Sequence, residues 1–188
     1  MKNWMKPVIV IVVILAIIAI PIVTTYNGLV TAQNDAEEQF ANVDSKLQRR
    51  YDLIPNLVNS VKGSMKQEKE VFGAIADART QYGSAKTTNE KVEASNEMDS
   101  ALSRLLVITE NYPELKSNEN VTKLMDELAG TENRISVERD RYNKVVKTYN
   151  AKTRKFPATI VASMFGFEKL AFFEATAGAD KAPTVDLD

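Results

Sequence analysis

The chain contains no cysteine and no histidine. The first absence removes disulfides, thiolate nucleophiles and thiolate-bound zinc. The second removes the commonest general base and the commonest transition-metal ligand, which excludes Ser-His-Asp, Cys-His and zinc-hydrolase chemistry. Carboxylate, lysine or tyrosine chemistry is what remains, and nothing in the pattern of those residues points to a cofactor or a metal. An excess of one charge is also missing. Lys and Arg total 24 against 25 Asp and Glu, and 22 against 25 once Lys2 and Lys6 are set aside. Nucleic-acid binding leaves a basic footprint, so no nucleic-acid partner is expected. With 188 residues there is room for one ordinary domain and an anchor, and none for a second large domain.

What is present begins with sixteen uncharged residues, Val8 to Val23. As a helix they span about 24 Å, and Trp4 to Tyr26 spans about 33 Å, against a hydrocarbon core of roughly 30 Å. Trp4 and Tyr26 then stand at the two interfaces, where amphipathic rings prefer to lie. Residues 1–25 are therefore expected to be a transmembrane anchor in contact with lipid through side chains such as Val8, Ile14 and Val23. Pro21 falls near one end of the run, where a missing hydrogen bond costs least. A cleaved signal peptide is the competing reading, with Val30-Thr31-Ala32 as its small-x-small site, but that site falls inside an amphipathic pattern. Lys2 and Lys6 precede the run, and the first basic residue after it is Lys46. The positive-inside rule then puts the amino terminus in the cytoplasm and the large domain outside the cytoplasmic membrane.

From Tyr26 a seven-residue rhythm runs through Gln33, Phe40, Leu47, Ile54, Val61, Glu68, Ile75 and Tyr82, apolar except at Gln33 and Glu68, with Leu29, Ala36, Val43, Leu57 and Met65 between them. That is the stripe of coiled-coil-like helices in a bundle. The rhythm crosses Pro55, so either one long helix is kinked there or Asp52 to Pro55 is a break with Pro55 in the first turn of a second helix. Tyr82 to Lys86 reads as a turn, and Thr87 with Glu90 matches a capping box opening a helix to about Asn111. Ser117 or Asn118 caps a last long helix, with a stripe of Val121, Leu128, Ile135, Tyr142, Tyr149 and Phe156 read as core. The expected fold is all-α: a transmembrane helix followed by an antiparallel bundle of about four long helices over residues 26–156. Residues 157–177 form an apolar segment interrupted at Gly166, too short to cross a bilayer and expected to cover one end of the bundle. Residues 178–188 read as a disordered tail.

Five segments, RRYDLIPNLVNSVKG (Arg49 to Gly63), ENYPELKSNENV (Glu110 to Val121), GTENRI (Gly130 to Ile135), RYN (Arg141 to Asn143) and FPATIVASMFGF (Phe156 to Phe167), resemble in order the signature stretches of the bacterial LemA family. The resemblance covers nearly the whole chain. It implies an antiparallel bundle behind a membrane segment, and favours the break at Asp52 to Pro55. It carries no catalytic residues over.

Two charged clusters invite a functional reading. Arg49, Arg50 and Asp52 flank Tyr51, and Glu132, Asn133 and Arg134 lie together in the last helix. Arginine forks suit bidentate recognition of carboxylate or phosphate, whereas salt-bridge layers at a bundle seam fix helix register, and the second reading is preferred. Met164, Phe165, Phe167, Phe172 and Phe173 form a candidate contact patch. Three functions follow. The first is a non-enzymatic scaffold or adaptor that binds another envelope protein. The second is a self-associating structural protein that organises or curves the membrane. The third is a hydrolase using an acid pair such as Glu132 and Asp44.

Overall fold

The computed structural model describes residues 5–174 as six helices: α1 (Met5–Val61), α2 (Lys69–Ser84), α3 (Thr88–Thr109), α4 (Pro113–Lys116), α5 (Glu119–Thr153) and α6 (Ala158–Phe165). No strand occurs among the described residues. Trp4 and the expected tail, 178–188, lie outside them. The chain forms two compact units. Among the described residues, one contains 5–38 with Lys144–Leu170, and the other contains Gln39–Asn143 with 171–174. Helices α1 and α5 contribute to both.

Helix α1 is 57 residues long and differs from expectation at two prolines. The break expected at Asp52 to Pro55 does not occur; the helix continues to Val61, and the chain turns over Lys62 to Glu68 instead. Proline in a helix interior costs about 3 kcal/mol. Ile54 and Leu57, on either side of Pro55, are 1% and 2% exposed. Burying each contributes roughly 1.5–3 kcal/mol, so keeping both on one continuous face outweighs the lost hydrogen bond. Pro21 is not near a helix end either. It lies in the interior of α1, where Thr24 Oγ1 donates to the carbonyls of Ile20 and Pro21 at 3.0 and 3.1 Å.

The unit containing Gln39–Asn143 is an antiparallel bundle of the later part of α1, α2, α3 and the earlier part of α5, joined by short connections. Ile54 and Val61 of α1 share a core with Ile75 of α2, Leu105 of α3 and Val121 of α5, and Leu115 of α4 closes it. The capping box forms as the spacing predicts: Glu90 N–H donates to Thr87 Oγ1 at 3.2 Å, and Thr87 N–H to Glu90 Oε2 at 3.0 Å. The backbone donors of Lys86 and Thr87 hold the Glu90 carboxyl below its usual range. Asn118 caps α5, its Oδ1 accepting from the N–H groups of Asn120 and Val121 at 3.0 and 3.3 Å. The α5 stripe is buried at Val121, Leu128, Ile135, Tyr142 and Tyr149. Phe156 is not core: α5 ends at Thr153, the helical period ends with it, and Phe156 is 81% exposed.

In the unit containing the chain up to Glu38, the apolar run of α1 is the one helix among the described residues long and apolar enough to cross a membrane. None of its most apolar window is buried against protein, which distinguishes it from the core helix of a globular domain. Val8, Ile14 and Val23 are all exposed. Val30 to Ala32, the small-x-small site, sits in mid-helix between Leu29 and Ala36, both fully buried. Helix α6 ends at Gly166, whose φ of 73° lets the chain turn and brings Phe167 N–H to the carbonyl of Ala162 at 2.9 Å.

Candidate interaction groove

Among the described residues, the buried charged side chains of the bundle lie in one layer. Arg50 of α1 and Arg139 of α5 have side chains only 3% and 8% exposed, and both turn to one carboxylate, Asp99 of α3. Arg50 Nη1 donates to Asp99 Oδ1 at 2.5 Å and to Glu132 Oε1 at 3.0 Å. Arg139 Nη1 donates to Asp99 Oδ2 at 2.6 Å and its Nη2 to Oδ1 at 3.1 Å. Ser95 Oγ, one turn from Asp99, accepts from both arginines at 2.9 and 2.7 Å. Two cations and two carboxylates make the layer neutral. Burial opposes the Arg50 charge, and the carboxylates of Glu132 and Asp99 outweigh it, holding the guanidinium above its ordinary pKa. Arg50 is therefore a permanent cation that fixes α1 against α3 and α5.

This layer forms the floor of a groove of about 510 Å³. Leu102, Leu106 and Met125 supply apolar wall, while Glu132, Asp140 and Glu174 supply acidic groups. Arg50 and Arg139 are spent on the layer with Asp99 and Glu132, so the charge left over at the groove is that of Asp140 and Glu174. Phe173 bounds the groove and is a core residue. Its ring stacks on Phe40 (6.5 Å between centroids), meets Tyr142 edge-on (5.3 Å), and lies under the Arg139 guanidinium (4.8 Å).

Of the residues singled out from sequence, the structure brings Arg50 and Glu132 together. Arg49 turns outward to Glu127 at 2.6 Å, an exposed pair of the kind that contributes little. Asp52 accepts from Gln48, and Tyr51 lies under the Arg79 guanidinium, 4.2 Å from its ring centre. Asn133 and Arg134 are exposed, Asn133 at the groove. The acid pair Glu132 and Asp44 does not share a pocket. Asp44 accepts from the Tyr82 hydroxyl at 2.6 Å and Lys91 at 2.8 Å, and burial, reinforced by that carboxylate, pushes the Tyr82 hydroxyl far up. The aromatic patch is divided. Met164, Phe165 and Phe172 are exposed and Phe167 half-buried, but Phe173 is 3% exposed and unavailable for contact.

Sequence reasoning missed Ser95, Asp99 and Arg139. Ser95 lies three residues from Val92 and from Met98, Asp99 three residues before Leu102, and Arg139 four after Ile135 and three before Tyr142. A polar residue inside a stripe is buried with it, and that was the available signal. A second missed device is the repeat Tyr142-Asn143 and Tyr149-Asn150 on α5. In one unit Asn150 exchanges two hydrogen bonds with the Leu170 backbone (2.8 and 3.0 Å), and Tyr149 donates to the carbonyl of Glu168. In the other, Asn143 does the same with Phe173 (2.9 and 3.0 Å), and Tyr142 donates to the carbonyl of Ala171. Burial raises the Tyr142 hydroxyl to about 12, so it stays a donor throughout the physiological range.

A single apolar N-terminal helix and an antiparallel helical bundle define a membrane-associated, all-α protein. The chain matches the LemA family over residues 39–187 and belongs to that family. It is similar to magnetosome protein MamQ 1 of Paramagnetospirillum magneticum, at 27% identity over 82% of this chain and 66% of the relative. Magnetosome protein MamQ of Magnetospirillum gryphiswaldense is 26% identical with the same coverage. This chain thus spans just under two thirds of the length of those proteins. Protein LemA of Metamycoplasma hominis is 23% identical over 86% of this chain and 73% of the relative.

Proposed function

We propose that this protein is a non-enzymatic scaffold or adaptor, held in the cytoplasmic membrane by α1 with its amino terminus in the cytoplasm. Its bundle groove receives a short segment of another envelope protein. The observation that carries this reading is the groove's composition: apolar walls, a floor fixed by the Arg50–Asp99–Arg139 layer, and exposed carboxylates at Asp140 and Glu174. Such a surface complements an apolar side chain accompanied by lysine or arginine. Anchoring raises the effective concentration of the groove at the membrane, so a contact of modest affinity suffices.

A photo-crosslinking residue in place of Leu106, which is 45% exposed on the groove wall, tests this in intact cells. The full-length protein should give a discrete adduct with a membrane or envelope protein. The cross-linked segment should contain apolar and basic residues, and the Asp140→Lys exchange should diminish the adduct severalfold. Recovery of monomer alone, an adduct with a second copy of the chain, or an adduct indifferent to Asp140→Lys contradicts the proposal.

A further inference from the structure

In the unit built from the chain up to Glu38 and Lys144–Leu170, helix α6 packs at the boundary where the apolar run ends. Val161 and Ala162, 3% and 4% exposed, rest on Leu29, and Ile22 of the apolar run joins the same cluster. The Tyr26 ring meets Phe165 at 4.8 Å and Phe167 at 5.6 Å. A helix rises 1.5 Å per residue, so Tyr26 and Leu29 stand roughly 5–10 Å along the axis beyond Val23. The headgroup region occupies about that depth on each side of the hydrocarbon. Helix α6 is thus held at interfacial depth by contacts to α1 itself.

Its other face has no protein cover among the described residues. Ile160, Met164 and Phe165 are 51%, 67% and 53% exposed, and Phe156, just before the helix, 81%. The stretch leading into it, Lys144 to Lys155, contains Lys144, Lys147, Lys152, Arg154 and Lys155 and no acidic residue. Lys152 Nζ donates to the Gly28 carbonyl at 2.7 Å, which places this basic stretch beside α1 two residues past Tyr26. There, a Cβ on residue 28 would lie 3.1 Å from Lys152 Nζ, in tight contact with the end of that side chain. Arg154 and Lys155 are exposed. Apolar and aromatic side chains next to a cluster of cations, at the level of the headgroups, have the composition of an interfacial membrane-binding element.

We propose that α6 and the basic stretch before it make a second contact with the bilayer that α1 spans. Phe156, Ile160, Met164 and Phe165 insert at the headgroup boundary, and Arg154 and Lys155 face anionic lipid phosphates. Basic residues near an anionic surface are drawn to it electrostatically, and the partly inserted aromatic side chains add apolar burial. Two contacts fix the rotation of α1 about its own axis, which a lone transmembrane helix leaves free. These cations are far from α1 in sequence, so they fall outside the short-loop charge bias that sets topology. The inference rests on α1 spanning the membrane, and the test separates the two.

Because the chain has no cysteine, a single one reports one site. Full-length protein carrying Met164→Cys, Ile14→Cys or Glu93→Cys is reconstituted in phosphatidylcholine vesicles with or without phosphatidylglycerol and labelled with a fluorophore. Quenching is then measured with nitroxide lipids and with aqueous iodide. The Met164 label should be lipid-quenched and severalfold less open to iodide than the Glu93 label. With phosphatidylglycerol present, Arg154→Gln with Lys155→Gln should reduce that lipid quenching. A Met164 label as open to iodide as Glu93, with the Ile14 label still lipid-quenched, overturns the second contact and leaves the anchor intact. Iodide protection without lipid quenching means protein covers α6 and overturns it too. An Ile14 label without lipid quenching removes the anchor and the proposal together. Indifference to the double Gln exchange in phosphatidylglycerol vesicles overturns the anionic-lipid part.

Discussion

Replacing Asp99 with alanine should destabilise the bundle by ~3–5 kcal/mol, because breaking a buried ion pair leaves uncompensated charge in the interior. Here one carboxylate serves two guanidiniums, at 2.5 and 2.6 Å, with both arginine side chains under a tenth exposed. After the exchange Arg50 keeps Glu132, whose side chain is 38% exposed, and among the described residues Arg139 keeps only Ser95 Oγ and its stacking on Phe173. For a chain of this length 1 kcal/mol moves the midpoint about 2–4 °C, so the melting transition followed by circular dichroism should fall by roughly 6–20 °C. The control removes the Arg50, Asp99 and Arg139 charges and leaves Glu132, whose side chain is 38% exposed and stays solvated. Arg50→Met, Asp99→Leu and Arg139→Leu together leave no stranded charge, and should be nearly neutral or stabilising by up to about 4 kcal/mol. If Asp99→Ala alone is tolerated within about 0.5 kcal/mol, the layer does not hold the seam as described.

Pro55→Ala acts in the opposite direction. At residue 55 proline has no N–H to give to the Tyr51 carbonyl, and its ring crowds that turn, a burden of about 3 kcal/mol in a helix interior. Alanine restores the donor and carries the highest helix propensity. The unfolded chain also gains freedom when proline is removed, which offsets roughly 0.4–1 kcal/mol. The net expectation is stabilisation of about 2 kcal/mol by denaturant unfolding. Destabilisation of comparable size would mean that the flanking core residues Ile54 and Leu57 require a bend that only proline provides.

The same proline shows where sequence reading stops. A seven-residue rhythm identifies the face a helix buries, and it did so for Leu47, Ile54 and Val61, all 1% exposed or less. It carries no information on whether one helix or two present that face. The end of α1 falls at Lys62 to Glu68, around Gly63 and Ser64, which have weak helix propensity, and Glu68 is the charged residue that interrupts the apolar series. Phe156 failed for the mirror reason: the spacing continued past Thr153, but the helix did not.

The polar layer was legible in part. Arg50 and Glu132 lay in clusters dense enough to notice, yet their partner Asp99 is one of 25 acidic residues and nothing marks it locally. Only its place in the stripe between Val92 and Leu102 sets it apart. The aromatic segment was harder still, because Phe172 and Phe173 are neighbours of the same type. What separates them is the Asn143 side chain, which fixes the backbone at Phe173 and sends that ring between Phe40 and Tyr142. That is a tertiary choice with no local sequence signature.

A role at the membrane requires first that α1 remain attached and in lipid. Extraction of native membranes with alkaline carbonate, followed by amino-terminal analysis of the retained protein, tests this most directly. Full-length chain that stays in the membrane pellet and still carries Val8 to Val23 is the predicted result. Release into the aqueous fraction, or mature protein beginning beyond Val23, would contradict it.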